Sequence, residues 1–166
     1  VSVNGGTGHD IIEFNNAGDT SESGFSVVGS VVSQSDMANV TYDGQVESLF
    51  FFGGTGGAAV HAFLLTPNTT QMFLNPGNDF DQITATGNAQ VLTVRASGGF
   101  DNITVNDFFG TGGLVYFDST IQLGTLTLNT NGRVLAPASG TAVSVQDLFI
   151  DPTAQLDIYE IGRAHV

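Results

Sequence analysis

The stretch from Asn75 to Val105 constrains this chain most, because it holds one unit twice. A turn, Pro76-Gly77-Asn78-Asp79-Phe80-Asp81, feeds a short alternating strand, Ile83-Thr84-Ala85. A second turn, Ser97-Gly98-Gly99-Phe100-Asp101, feeds Ile103-Thr104-Val105, and the copies lie 20 residues apart. A repeat this short is one supersecondary unit that cannot bury its own apolar face, so neighbouring copies must stack.

The rest of the chain repeats the pattern. Short runs alternate apolar and polar residues between Gly, Asn, Asp and Ser, which is strand and turn punctuation. Two ladders emerge. The first takes Ile12, Val40, Val60, Ile83, Ile103, Leu126 and Leu148. The second takes Val27, Leu49, Met72, Leu92, Leu114, Val134 and Leu156. After Val40 the first advances in steps of 20 to 23 residues, as the second does throughout; the step from Ile12 to Val40 is 28, a longer first rung. Most members have a second apolar residue two places on, and side chains two apart on a strand share a face. The segments Leu126 to Ala136 and Leu148 to Ile158 form the clearest pair. The spacing predicts an all-β chain folded as a right-handed parallel β-helix, or solenoid, of about seven rungs of 20–23 residues, with strands about 4.8 Å apart. An antiparallel sandwich also has short, regularly spaced strands, but it does not require a constant rung length.

Phe50-Phe51-Phe52 and Phe108-Phe109 are too apolar for simple alternation and read as a second core face at a corner. Gly18 to Gly24 and Ser33 to Asp36 read as solvated loops. His61 is expected to point outward between Val60 and Ala62.

Charge narrows the partners. The chain carries a formal net charge of −13 with no lysine. Nucleic-acid binding needs cations that neutralise phosphates, so this balance opposes it, as it opposes an anionic membrane surface. No run is long and apolar enough to insert into a membrane. There is no cysteine, so neither a disulfide framework nor a thiolate zinc site is available. The chain opens at Val1 and reads as a single solenoid segment, residues 1–159, of a larger protein. Residues Glu160 to Val166 resemble the in-frame translation of a sequencing adapter and are set aside as a non-native tail.

Gly5-Gly6-Thr7-Gly8-His9-Asp10-Ile11-Ile12-Glu13 matches G-G-x-G-x-D-x-U-x and resembles the calcium-binding nonapeptide of RTX proteins. Glycine permits tight positive-φ turns that expose carbonyls, and calcium takes six to eight oxygens. The resemblance implies calcium as the cofactor and Asp10, Asp81 and Asp101 as ligand-type residues, with Asp79 beside them. Asp10 belongs to the complete copy. Pro76 to Thr84 and Ala96 to Thr104 are degenerate copies, and Gly53 to Val60 has Ala58 where the Asp belongs. Stacking of Asp81 on Asp101 brings like charges within about 5 Å. A bound cation, splaying into water, or hydrogen bonds would relieve that repulsion. The other reading of these aspartates is that they are turn residues bonding their own backbone.

The order GGTGHDIIEF, VTYDGQVESLFFFGGTGG, NPGNDFDQITATG and GGFDNITV resembles the repeats of very large bacterial secreted or surface proteins of adhesin-like and autotransporter-like type. That resemblance implies a non-catalytic, extracellular segment that presents other domains. Its partners would be adjoining domains of the parent chain, and glycans or a neighbouring cell surface. The alternative is a carbohydrate-binding or polysaccharide-degrading β-helix, a lyase or glycoside hydrolase. Catalysis on acidic polysaccharides needs basic residues, and outside the set-aside tail there are only Arg95 and Arg133. His9 and His61 fall on different turns with no activated nucleophile. A glycan-binding surface would use Tyr42, Tyr116 or Phe108.

Overall fold

The computed structural model describes residues 1–21, 23–56, 59–65, 71–77, 80–87, 91–95, 99–108, 111–136 and 141–158. The expectations for Asp79, Ala58, Phe109 and the tail fall outside the described residues.

Strands are the only regular element among the described residues. They are β1 (Ser2–Val3), β2 (Ile11–Asn15), β3 (Ser26–Val28), β4 (Val31–Gln34), β5 (Met37–Tyr42), β6 (Ser48–Phe52), β7 (Val60–Leu65), β8 (Gln71–Asn75) and β9 (Gln82–Gly87). Then come β10 (Val91–Val94), β11 (Asp101–Phe108), β12 (Thr111–Gly112), β13 (Leu114–Phe117), β14 (Ile121–Leu128), β15 (Arg133–Ala136), β16 (Val143–Ile150) and β17 (Gln155–Ile158). One sheet runs β2, β6, β8, β10, β13, β15, β17, parallel throughout. The other runs β1, β5, β4, β3, β7, β9, β11, β14, β16, and from β3 onward its neighbours along this order are also parallel. From β6 on, the chain passes back and forth between the sheets, and their inward side chains meet in one core. This is a β-solenoid. Its regular two-sheet turns are fewer than the seven rungs expected.

The shortfall lies at the N-terminal end. Strands β3, β4 and β5 form an antiparallel meander inserted before the regular turns. Val40 therefore belongs to a hairpin strand, not a solenoid rung. Ser33 and Gln34 lie in β4, and Ser35-Asp36 is the hairpin turn. Beside the meander the core is aromatic. Phe51 stacks on Phe14 at 5.1 Å and meets Phe25 at 5.2 Å and Phe63 at 5.3 Å. Tyr42 is buried, and its hydroxyl donates to the Gly29 carbonyl at 2.9 Å.

The inward columns follow from period-two alternation. One column runs Ile12, Leu49, Met72, Leu92, Val115, Val134, Leu156. On the other sheet His61, Ile83, Ile103, Leu126 and Leu148 align, as do Val27, Phe63, Ala85, Val105, Leu128 and Ile150. Each fully buried aliphatic side chain contributes roughly 1.5–3 kcal/mol, and stacking repeats that gain at every turn. Besides Val40, four expected ladder assignments change. Ile12 and Val27 exchange sheets. Val115 replaces Leu114. His61 replaces Val60: His61 is 0% exposed and Val60 55%. A one-residue slip turns every side chain of a strand to the opposite face. The triple phenylalanine alternates after all, with Phe51 in the core and Phe50 and Phe52 only partly buried.

At the C-terminal end of the described residues the core columns become exposed. Leu148 is 47% and Ile150 45% exposed, although both lie in columns that are buried on the strand before. Among the described residues, β16 and β17 have a strand partner on one side only.

Candidate functional site

The predicted ligand residues that the structure describes, Asp10, Asp81 and Asp101, do not form one site. Asp81 and Asp101 lie at the entries of β9 and β11 in one sheet. Asp10 lies at the entry of β2 in the other. Asn102 pairs with Gln82, so Asp81 and Asp101 occupy equivalent corners of neighbouring turns, as the repeat implies. Both side chains are buried.

Two hydrogen bonds show what buries them. Asp101 Oδ1 accepts the backbone N–H of Asp81 at 3.0 Å. Asp81 Oδ1 accepts the backbone N–H of Ala59 at 2.9 Å. Each carboxylate thus caps the N–H one turn earlier, where the chain bends. A buried N–H left unmatched costs about 1–3 kcal/mol, and an ionised acceptor makes a stronger bond than a neutral one. The series stops at the next turn. Asp101 pairs with Leu123, and the register slips so that Asn102 pairs with Thr125, passing over Gly124. A Cβ at Gly124 would stand 2.9 Å from Asn102 Oδ1 and 3.0 Å from the Phe100 carbonyl oxygen, so glycine eases the close approach at this irregularity.

Side-chain caps recur at other corners. Phe25 N–H donates to His61 Nδ1 at 3.3 Å. Asn131 N–H donates to Thr153 Oγ1 at 3.1 Å. Asn129 Nδ2 donates to Asn106 Oδ1 at 2.7 Å, and Asn106 Nδ2 donates to Thr86 Oγ1 at 3.3 Å. Half-buried aspartates behave differently, closing local turns. Asp19 and Asp151 accept the N–H two residues on, from Ser21 and Thr153. Hydrogen bonds from those same residues, the hydroxyls first, hold both carboxyls below their usual range.

The complete nonapeptide is built as its glycines require. Gly6 and Gly8 take φ of 88° and 141°. At Gly5 a Cβ would stand 2.5 Å from the Gln45 carbonyl oxygen, so the two turns touch backbone to backbone. The residues from Asp43 to Glu47 cap this turn from the next one. Asp43 Oδ1 accepts Gly5 N–H at 3.0 Å, Gln45 Oε1 accepts Gly6 N–H at 3.2 Å, and Glu47 Oε2 accepts Asp10 N–H at 2.6 Å. Asp10 Oδ2 is enclosed and has no hydrogen-bond partner. This oxygen, beside a glycine turn and near Glu47, fits a calcium-type donor set better than the carboxylates of Asp81 and Asp101, each of which holds a backbone N–H. Among the described residues no three His, Cys, Asp or Glu side chains converge, so an ion here would draw most of its ligands from carbonyls and water. Glu47 and Asp43 were missed in the sequence because they lie outside the nonapeptide. Their only signal is the Tyr42-Asp43-Gly44 turn.

The histidines are apart. His9 is exposed, its Nδ1 3.7 Å from Glu47 Oε2. His61 packs on Phe25 at 5.7 Å, and burial lowers its pKa to about 4. No helix among the described residues is long and apolar enough to cross a membrane. No family model, curated protein or solved structure matches this chain.

Proposed function

We propose that this chain is a non-catalytic β-solenoid segment of an extracellular or cell-surface protein. Its role is to extend and present the domains joined to it, and to adhere through its outer faces. One observation carries this reading: the acidic turn residues that repeat with the rungs, Asp81 and Asp101, are buried and directed at backbone N–H groups. Hydrogen bonds of this kind hold neighbouring turns together, which supports a scaffold role. The open apolar end at Leu148 and Ile150 supports it too, since it suits an abutting domain. The absence of cysteine and the strongly acidic balance fit a soluble chain that needs no disulfides outside the cell. Calcium stiffening, on this reading, belongs to the Gly5 to Glu13 turn through Asp10.

The test is turnover. Incubation with pectate, alginate, xylan and chitin, followed by reducing-end and unsaturated-uronate assays, should release no product. Product formation abolished by Asp81→Asn or Asp101→Asn would replace the scaffold with a polysaccharide-degrading enzyme.

A further inference from the structure

The outer face of the fully parallel sheet carries a row, one residue per strand, that includes Phe50, Phe73, Thr93, Tyr116 and Leu135. Phe50 and Phe73 stack face to face, their centroids 4.4 Å apart and their planes within 7°. That distance is close to the spacing between neighbouring strands. The ring planes therefore lie across the solenoid axis, and the second face of Phe73 looks toward Thr93. Threonine is too short to fill the space above it. Tyr116 stands on the far side, two strand spacings or about 9.6 Å along the axis from Phe73, with Leu135 beyond it. A ring seated over Thr93 would lie about 4.8 Å from each neighbour, within the range at which flat rings stack.

The side of this slot is polar. The Arg95 guanidinium carbon is 5.4 Å from the Phe73 centroid and 6.0 Å from that of Phe50. Similar distances from two stacked rings place it beside the pair. Arg95 Nε donates to Asp118 Oδ2 at 2.9 Å, and the two side chains remain 46% and 27% exposed. The pair thus offers further N–H donors and carboxylate lone pairs at the rim. Arg133, on the same face, lies 3.8 Å from Asp157.

We propose that this slot binds one pyranose ring of a neutral polysaccharide. A pyranose has apolar C–H faces and hydroxyls around its edge. The aromatics supply surfaces for the faces, and the Arg95–Asp118 pair supplies donors and acceptors for the edge. A polyanion is disfavoured because Asp118 already neutralises Arg95 and the chain carries −13 overall. An aromatic side chain of a protein partner would use the two rings but would desolvate the ion pair without matching it. This site rests on the adhesive part of the proposed function and gives it a specific ligand class; the presenting role is tested separately by the turnover assay.

Binding is measured by titration calorimetry and affinity electrophoresis. The probes are hexaoses of β-1,4-linked glucose, xylose, mannose and N-acetylglucosamine, with polygalacturonate and N-acetyltyrosine amide as competing chemistries. At least one neutral hexaose should bind saturably and with little dependence on salt. Thr93→Phe fills the slot and Tyr116→Ala removes a wall, and neither position is in the core. Each should weaken binding by about tenfold or more, with the thermal midpoint held within a degree or two of the parent. The proposal is overturned if no neutral hexaose binds, if Thr93→Phe binds as the parent does, or if only polygalacturonate or the tyrosine derivative binds.

Discussion

Asp101 Oδ1 accepts the backbone N–H of Asp81 at 3.0 Å, joining two buried aspartates on neighbouring turns of the solenoid. An asparagine can present the same acceptor oxygen without the charge, whereas an alanine leaves a buried N–H unmatched. Asp101→Ala should therefore cost about 1–3 kcal/mol, and Asp101→Asn clearly less, in denaturant unfolding. The same order is expected for Asp81→Ala and Asp81→Asn, which act on Ala59 N–H. Equal damage from Asn and Ala would show that the carboxylate charge itself is required, as it would be if a cation sat at this corner.

Calcium is expected to act at the other sheet. Asp10 Oδ2 lacks a partner, and Asp10→Asn replaces the carboxylate with a neutral amide, a much weaker calcium ligand. A ligand at about 100 times its dissociation constant stabilises the folded state by roughly 2.7 kcal/mol, enough to raise the midpoint by several degrees. The melt is compared in EDTA and in millimolar calcium, with magnesium as the control. The calcium shift should vanish in Asp10→Asn and persist in Asp81→Asn. A parent protein indifferent to calcium would remove the metal from the proposed function and leave Asp10 as a turn residue.

Much of the fold was legible wherever rungs have equal length. Leu49, Met72 and Leu92 align as their spacing implies, as do Ile83, Ile103, Leu126 and Leu148. The errors fall where turns vary. The turn before Val60 is one residue longer than the one before Gln82, and it delivers His61 to the core instead of Val60. Leu114 to Phe117 is apolar throughout, so alternation could not tell Leu114 from Val115. Ile12 resembled a member of the Ile83 ladder because the same motif precedes both, but the meander displaces the first copy to the other sheet. At the candidate site, the stacking of Asp81 on Asp101 was legible from the 20-residue repeat. Their hydrogen bonds to backbone N–H were not, because a carboxylate in a turn has the same sequence signature whether it binds a metal, its own backbone or the turn below.

His61 should make the protein acid-sensitive. Burial lowers its pKa from the usual 6.5 to about 4. As pH falls the unfolded chain takes up the proton first, so stability is full above about pH 6.5 and is lost progressively toward pH 4, by about 3 kcal/mol at the limit. Protonation also removes the Nδ1 lone pair that accepts Phe25 N–H. His61→Gln keeps an acceptor and cannot titrate. Denaturant midpoints between about pH 7 and pH 4.5 should fall less in the variant than in the parent, with the carboxylates contributing equally to both. Parallel curves would mean that the imidazole is not kept neutral by its surroundings.

The exposed columns at Leu148 and Ile150 should drive end-to-end association. Strand edges without partners invite pairing with another chain, and here the edge borders apolar side chains that every earlier turn buries. The net charge of −13 opposes self-association. Screening weakens that repulsion while leaving apolar contact intact, so sedimentation should show association that strengthens with both protein concentration and salt. Ile150→Asp places a charge on the apolar end and should return the protein to monomer without unfolding it, because its parent side chain is already half-exposed. A monomer at high concentration and high salt would mean that this end is satisfied within the chain. Association unchanged in Ile150→Asp would move the contact to another surface, and the outward aromatic row around Phe73 and Tyr116 would be the next place to test.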